Sequence, residues 1–143
     1  MQSKNHKYWK AKAIEQAKRG GTPFGAVIVN EEEEYIKAFN TTKQDGPLAH
    51  AEINAIQKLA QLDYTNTKKL RLYSTVEPCP MCMSACVWAE IGQVVYGASI
   101  ADASESGRQI NITSLEVIEK SWYSISLISG IEREQCLELL KNK

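Results

Sequence analysis

An excess of charge of either sign is missing from this chain: 17 Lys and Arg are matched by 17 Asp and Glu among 143 residues. That balance argues against the broad basic footprint of a nucleic-acid binder. Long apolar runs are missing too, and nothing approaches the roughly 20 residues a membrane helix needs. The opening MQSKNHKYWK lacks the apolar stretch of a secretory leader, so a cytoplasmic protein with no membrane partner is expected. Cysteine is sparse, with 4 in the chain; this excludes a dense disulfide framework and fits a reducing compartment. Repeats, linkers and low-complexity segments are absent. A hydrophobic content of 43% suffices for one globular domain over residues 1–143.

The scarce residues are spaced as metal ligands. His50 is followed by Ala51 and Glu52, and Pro78-Cys79-Pro80-Met81-Cys82 answers it. One imidazole and two thiolates suit zinc, and three protein ligands leave the fourth tetrahedral position open, as in a catalytic site. Glu52, not itself needed as a ligand, is free to move protons. Counting alone leaves a closed structural site open, because His6, Cys86 and Cys136 remain as further donors. In that reading zinc is a clip in a non-enzymatic binding module, and Glu52 has no task.

Local patterns place these residues on regular elements. Residues 51–61 carry Ile53, Ile56, Leu59 and Ala60 at helical period, which puts His50 and Glu52 at a helix start. Residues 80–91 form a second helical pattern with Pro80 at its first position, so that Cys79 and Cys82 share one side. An opening helix is expected over 3–19, stopped by Gly20-Gly21. Its apolar side includes Trp9, Ala13, Ile14 and Ala17. Strands are expected over 24–30, 35–39, 70–75, 94–98 and 122–127. Short helices are expected at 113–120 and 131–141. Glu31 to Glu34 read as a solvated turn, 40–49 as a loop, and 99–112 as a polar segment closing over the pocket. Cys86 reads as a small buried apolar residue. Strands alternating with helices make the chain α/β.

Pro23-Phe24-Gly25-Ala26-Val27-Ile28-Val29, Ala49-His50-Ala51-Glu52 and Glu77-Pro78-Cys79-Pro80-Met81-Cys82 together resemble the cytidine deaminase superfamily, in the branch of guanine deaminases and tRNA adenosine deaminases. The resemblance implies a three-layer α/β/α fold with a five-stranded mixed sheet, Zn²⁺ on His50, Cys79 and Cys82, and Glu52 as the catalytic acid/base. It also implies a base held by Asn40 and Phe24, with the backbone of Gly25 and Ala51 close by, a Trp88 contact, and a homodimer. Asn40 lies one residue closer to His50 than in relatives, and Gly46 stands where they often carry Asp. The implied reaction is hydrolytic removal of the exocyclic amine of a purine. Charge balance, Pro80-Met81 and Trp88 favour guanine or a related free aminopurine. The alternative is adenosine-to-inosine conversion in tRNA, favoured by Gly92 to Gly97 and by the ending from Gly130 to Leu140.

Overall fold

The computed structural model describes residues 3–142. Its centre is a five-stranded mixed sheet in the order β2-β1-β3-β4-β5. The strands are β1 Gly25–Val29, β2 Tyr35–Phe39, β3 Arg71–Val76, β4 Gln93–Ala98 and β5 Ser126–Ile128. β1 pairs antiparallel with β2 and β3, whereas β3–β4 and β4–β5 are parallel. A helix, α4 (Pro80–Trp88), makes the crossover from β3 to β4, as a parallel pair requires.

Every residue of β1 is buried, because both faces of the sheet are covered. Val27 and Val29 face Trp9 of α1 (His6–Gly20), with Tyr73 and Val95. Ala26 and Ile28 face the other way, into a cluster with Ala51 and Ala55 of α3 (Ala51–Gln57) and Met83 and Cys86 of α4. The last helix, α7 (Arg133–Lys141), packs beside α1 and β4. The expected helix–sheet–helix layering is therefore present.

Boundaries shift from the sequence expectation for identifiable reasons. α1 starts at His6 because the Asn5 side chain accepts from Tyr8 N–H at 2.9 Å, a polar cap that ends the extended chain. α3 stops at Gln57 and tightens into a 3₁₀ turn over Leu59–Gln61, common at helix ends. The fifth strand begins at Ser126 rather than 122. Residues 121–123 are instead a bend, in which the Ser121 hydroxyl is shared between the Ile118 and Tyr123 carbonyls and the Tyr123 hydroxyl between those of Glu90 and Ile91. Gly25 is required where α1 crosses β1: a Cβ there would lie 2.1 Å from the Ala13 carbonyl oxygen.

One buried group stands out behind the sheet. Lys10, on the apolar side of α1, is fully buried, and its Nζ donates to the Ser74 carbonyl in β3. Burial pulls its pKa from 10.5 down to about 8, partly offset by Cys136 and Glu52.

Candidate metal centre

The sheet delivers its ligands from two helix starts. His50 is the N-cap of α3, and Glu52 lies in its first turn. Cys79 is the N-cap of α4, with Pro80 following it and Cys82 buried one turn on. His50 Nδ1 lies 3.8 Å from Cys79 Sγ and 3.4 Å from Cys82 Sγ. Tetrahedral zinc, with bonds of about 2.3 Å to sulfur and 2.0–2.1 Å to nitrogen, needs N···S separations of about 3.6 Å. The two observed distances bracket that value, so these residues fit zinc without rearrangement.

The open-versus-closed question is answered by placement. Among the described residues only His50, Cys79 and Cys82 gather as a possible metal set. His6 is engaged by Tyr73 Oη at 2.6 Å. Cys86 packs in the core beside Met83, and Cys136 lies in a separate cluster with Val76 and Ala98. Among the described residues the possible metal set therefore numbers three donors, the count of an open site and not of a closed one.

Electrostatics agree with a metal-binding thiolate pair. A hydrogen bond with Cys82, together with His50, holds the Cys79 thiol down to about 4, while the same sulfur contact and burial push Cys82 up. A bound cation removes the shared proton, because a coordinating thiol is deprotonated outright. Glu52 is 6% exposed, and burial raises its carboxyl to about 7. That is close to the value that suits a group taking and returning protons.

Above the metal set lies a cavity of about 400 Å³, lined by Phe24, Asn40, His50, Glu52 and Cys79, and by Arg108 and Ile110 from the segment after β4. Asn40 is held in place through its oxygen, which accepts from Thr42 N–H at 3.1 Å and Thr42 Oγ1 at 3.0 Å. The short helix α2 (Thr42–Asp45) follows it, and Asn54 of α3 ties the loop down by donating to Phe39 and Thr41. Of the polar segment 99–112, expected to close over the pocket, residues 108–110 line it. The segment opens with α5 (Ile100–Ser104), capped reciprocally by Ser99 and Asp102, and leads to α6 (Ser114–Glu119), capped by Thr113 and Glu116.

Gly25 and Ala51 are not themselves lining residues, but each is next in the chain to one: Gly25 follows Phe24, and Ala51 stands between His50 and Glu52. Gly25 N donates to Thr75 Oγ1 at 3.1 Å. Trp88 is a clear correction. It is 75% exposed, its ring centroid is 4.8 Å from that of Trp122, and it lines a separate depression with Val117 and Lys120. Six residues beyond Cys82, at about 100° each, it faces another side of α4.

Sequence reasoning passed over Glu77 as more than part of a motif. Its carboxylate is buried, with Oε1 accepting from Ile100 N–H at 2.9 Å, and Oε2 from Ser114 N–H at 2.8 Å and Ser114 Oγ at 2.6 Å. One side chain thus pins both ends of the segment that runs from Ile100 to Ser114. The capping signals Ser99-x-x-Asp102 and Thr113-x-x-Glu116 mark those ends in the sequence. No comparable signal marks Arg108.

Comparison with known proteins agrees with this geometry. The chain is 38% identical over 110 residues to a guanine deaminase of Bacillus subtilis (strain 168), covering 72% of this chain and 70% of that one. It is 32% identical over 130 residues to a tRNA-specific adenosine deaminase of the same organism, covering 87% and 79%. A guanine deaminase structure from Nitrosomonas europaea shares the fold with a TM-score of 0.82 at 20% identity, over 99% of this chain and 85% of that one. Residues 3–98 match the cytidine and deoxycytidylate deaminase zinc-binding region, and the chain belongs to that zinc-dependent deaminase family.

Proposed function

We propose that the protein hydrolyses the C2 amine of guanine, or of a related free aminopurine, releasing ammonia. The observation that carries this reading is the cavity itself, which places Phe24, Asn40 and the buried Glu52 around the metal set in a space suited to one base. The likeness to the Bacillus subtilis guanine deaminase supports it. His50, Cys79 and Cys82 would hold zinc, which would supply Lewis acidity to the attacking water. Glu52 accepts the proton from that water and delivers it to the ring nitrogen beside C2. It then carries the second proton to the amine, which leaves as ammonia while the ring keeps the oxygen. One carboxylate serves both directions because burial sets its proton affinity near neutrality. Phe24 packs against the base plane and Asn40 hydrogen-bonds its edge.

The second reading, adenosine deamination in tRNA, is favoured by the longer span of likeness to the tRNA-specific enzyme, 87% of this chain against 72%. Charge balance weighs against it. Ammonia release from guanine, adenine, nucleosides and an anticodon stem-loop, each at low and moderate salt, separates the two. Guanine turnover with little salt dependence is expected. Conversion of the stem-loop alone, falling steeply with salt, overturns the guanine reading.

The working unit is proposed to be a cytoplasmic homodimer of this single deaminase domain. Free thiols at all four cysteines suit a reducing compartment. Among the described residues no helix is long and apolar enough to cross a membrane. The exposed Trp88–Trp122 pair beside Val117 is an apolar patch of the kind a second copy would cover. Sedimentation of Trp88→Glu as a monomer, against a wild-type dimer, is the expected result.

A further inference from the structure

The rim of the cavity carries chemistry that proton transfer leaves unused. Arg108 is exposed and lines the cavity with Gln109 and Ile110. Its guanidinium makes no ion pair among the described residues, whereas Arg133 nearby is fixed on Asp102 at 2.8 Å. The two acids of the cavity do not answer it. Glu52 is buried at the floor, and both oxygens of Glu77 are already taken by Ile100 and Ser114. An arginine left without a partner at the mouth of a substrate cavity has its five donors available to a ligand.

Asn40 presents the same polarity. Its amide orientation follows from its neighbour: a backbone N–H can only donate, so the Thr42 N–H fixes the oxygen of Asn40 toward itself. The group that remains for the cavity is therefore Nδ2, another donor. Arg108 and Asn40 together make a rim that gives hydrogen bonds and accepts none.

Purines differ at the edge such a rim would meet. With C2 at the floor, the edge across the ring carries position 6 and N7. A 6-oxopurine offers two acceptors there, O6 and N7, whereas a 6-aminopurine replaces one of them with an N–H₂ donor. Arginine pairs with O6 and N7 through two parallel bonds. Against an amino group it would set donor against donor.

We propose that Arg108 is the specificity-determining residue of this site, donating to the O6/N7 edge of the substrate beside the Asn40 amide and so selecting a 6-oxopurine over a purine that lacks O6. The assignment rests on the guanine reading above and adds to it the group that reads position 6.

The test compares guanine with 2-aminopurine, which keeps the reacting amine and lacks O6. Wild-type and Arg108→Ala proteins are assayed for ammonia release. Where 2-aminopurine turns over too slowly, its inhibition constant against guanine is read instead. Arg108→Ala is expected to lower kcat/KM for guanine by about 10–100-fold, chiefly through KM. Turnover or binding of 2-aminopurine should change far less, and zinc content and Tm should hold, since the side chain is exposed. Arg108→Lys, which keeps the charge but not the fork, should recover only part of the loss. An equal loss on both bases, or no loss on guanine, overturns the assignment while leaving the guanine reading intact. Wild-type protein that releases no ammonia from either base overturns both.

Discussion

The floor and the outer wall of the cavity are built in different ways. His50, Glu52 and Cys79 stand at the starts of α3 and α4, helices that pack on one face of the central sheet. Arg108 to Ile110 lie on an exposed stretch between two short helices, held at its ends by one carboxylate. The contrast suits the roles proposed for the two halves. Proton transfer and metal binding tolerate little misplacement and need rigid elements. Recognition of a base edge needs only a few donors and can sit on a segment that is free to vary.

Breaking the floor should have the largest effect. Cys82→Ala removes a buried ligand and is expected to drop zinc from one ion per chain toward none, abolish deamination and lower Tm, because metal binding is linked to folding. Elemental analysis with a thermal melt checks it. Glu52→Gln should leave the zinc and the melt in place while the rate falls by roughly 10²–10⁴-fold. Near-normal turnover in that variant would show that another group moves the protons.

Breaking the wall should cost less and act elsewhere. In Glu77→Gln the amide nitrogen must face either the Ile100 or the Ser114 N–H, donor against donor, at a cost of about 1–3 kcal/mol. Faster proteolytic cleavage within 105–113 and a raised KM are expected, with zinc retained. Loss of zinc would show that the two halves are not separable.

The smallest effect tests the support behind the floor and has the opposite sign. Lys10 has a folded pKa of about 8 against an ordinary 10.5, so the unfolded chain binds more protons between those values. Its contribution to stability therefore rises with pH across that window, and below about pH 8 the cost of the buried charge is present in full. Lys10→Met should stabilise the protein by about 1 kcal/mol near pH 7, and the gain should shrink as pH approaches 10.5. Denaturant melts of both proteins at pH 7 and pH 10 give the difference, and a destabilised variant at pH 7 would mean that the bond to Ser74 outweighs the buried charge.

The floor was legible in the sequence because its chemistry depends on rare residues at fixed spacing. His50-x-Glu52 and Cys79-x-x-Cys82 state both the ligands and the helix starts that present them. The core strands were legible because burial on two faces leaves an unbroken apolar run, as in Ala26 to Val29. Trp88 was misplaced because a motif match carries no information about which way the far end of a helix faces. Trp122 and Tyr123 suit strands and so read as the start of the fifth, but one is exposed and the other reaches back to Glu90 and Ile91, just after α4. Lys10 could have been suspected. It falls in step with Ala13, Ile14 and Ala17 on the buried side of α1, but a lysine at such a position ordinarily extends to solvent.

Glu77 gives the enzyme a natural site for change. Glu77 fastens the segment at Ile100 and Ser114, and Arg133 holds Asp102, so it is residues 105–113 between these ties that can be lengthened or rewritten without disturbing the ligands. Each doubling of a loop's length costs only about 0.6 kcal/mol. A single buried carboxylate thus separates the part of the chain that carries the metal donors from a stretch, residues 105–113, whose length and composition are free to change.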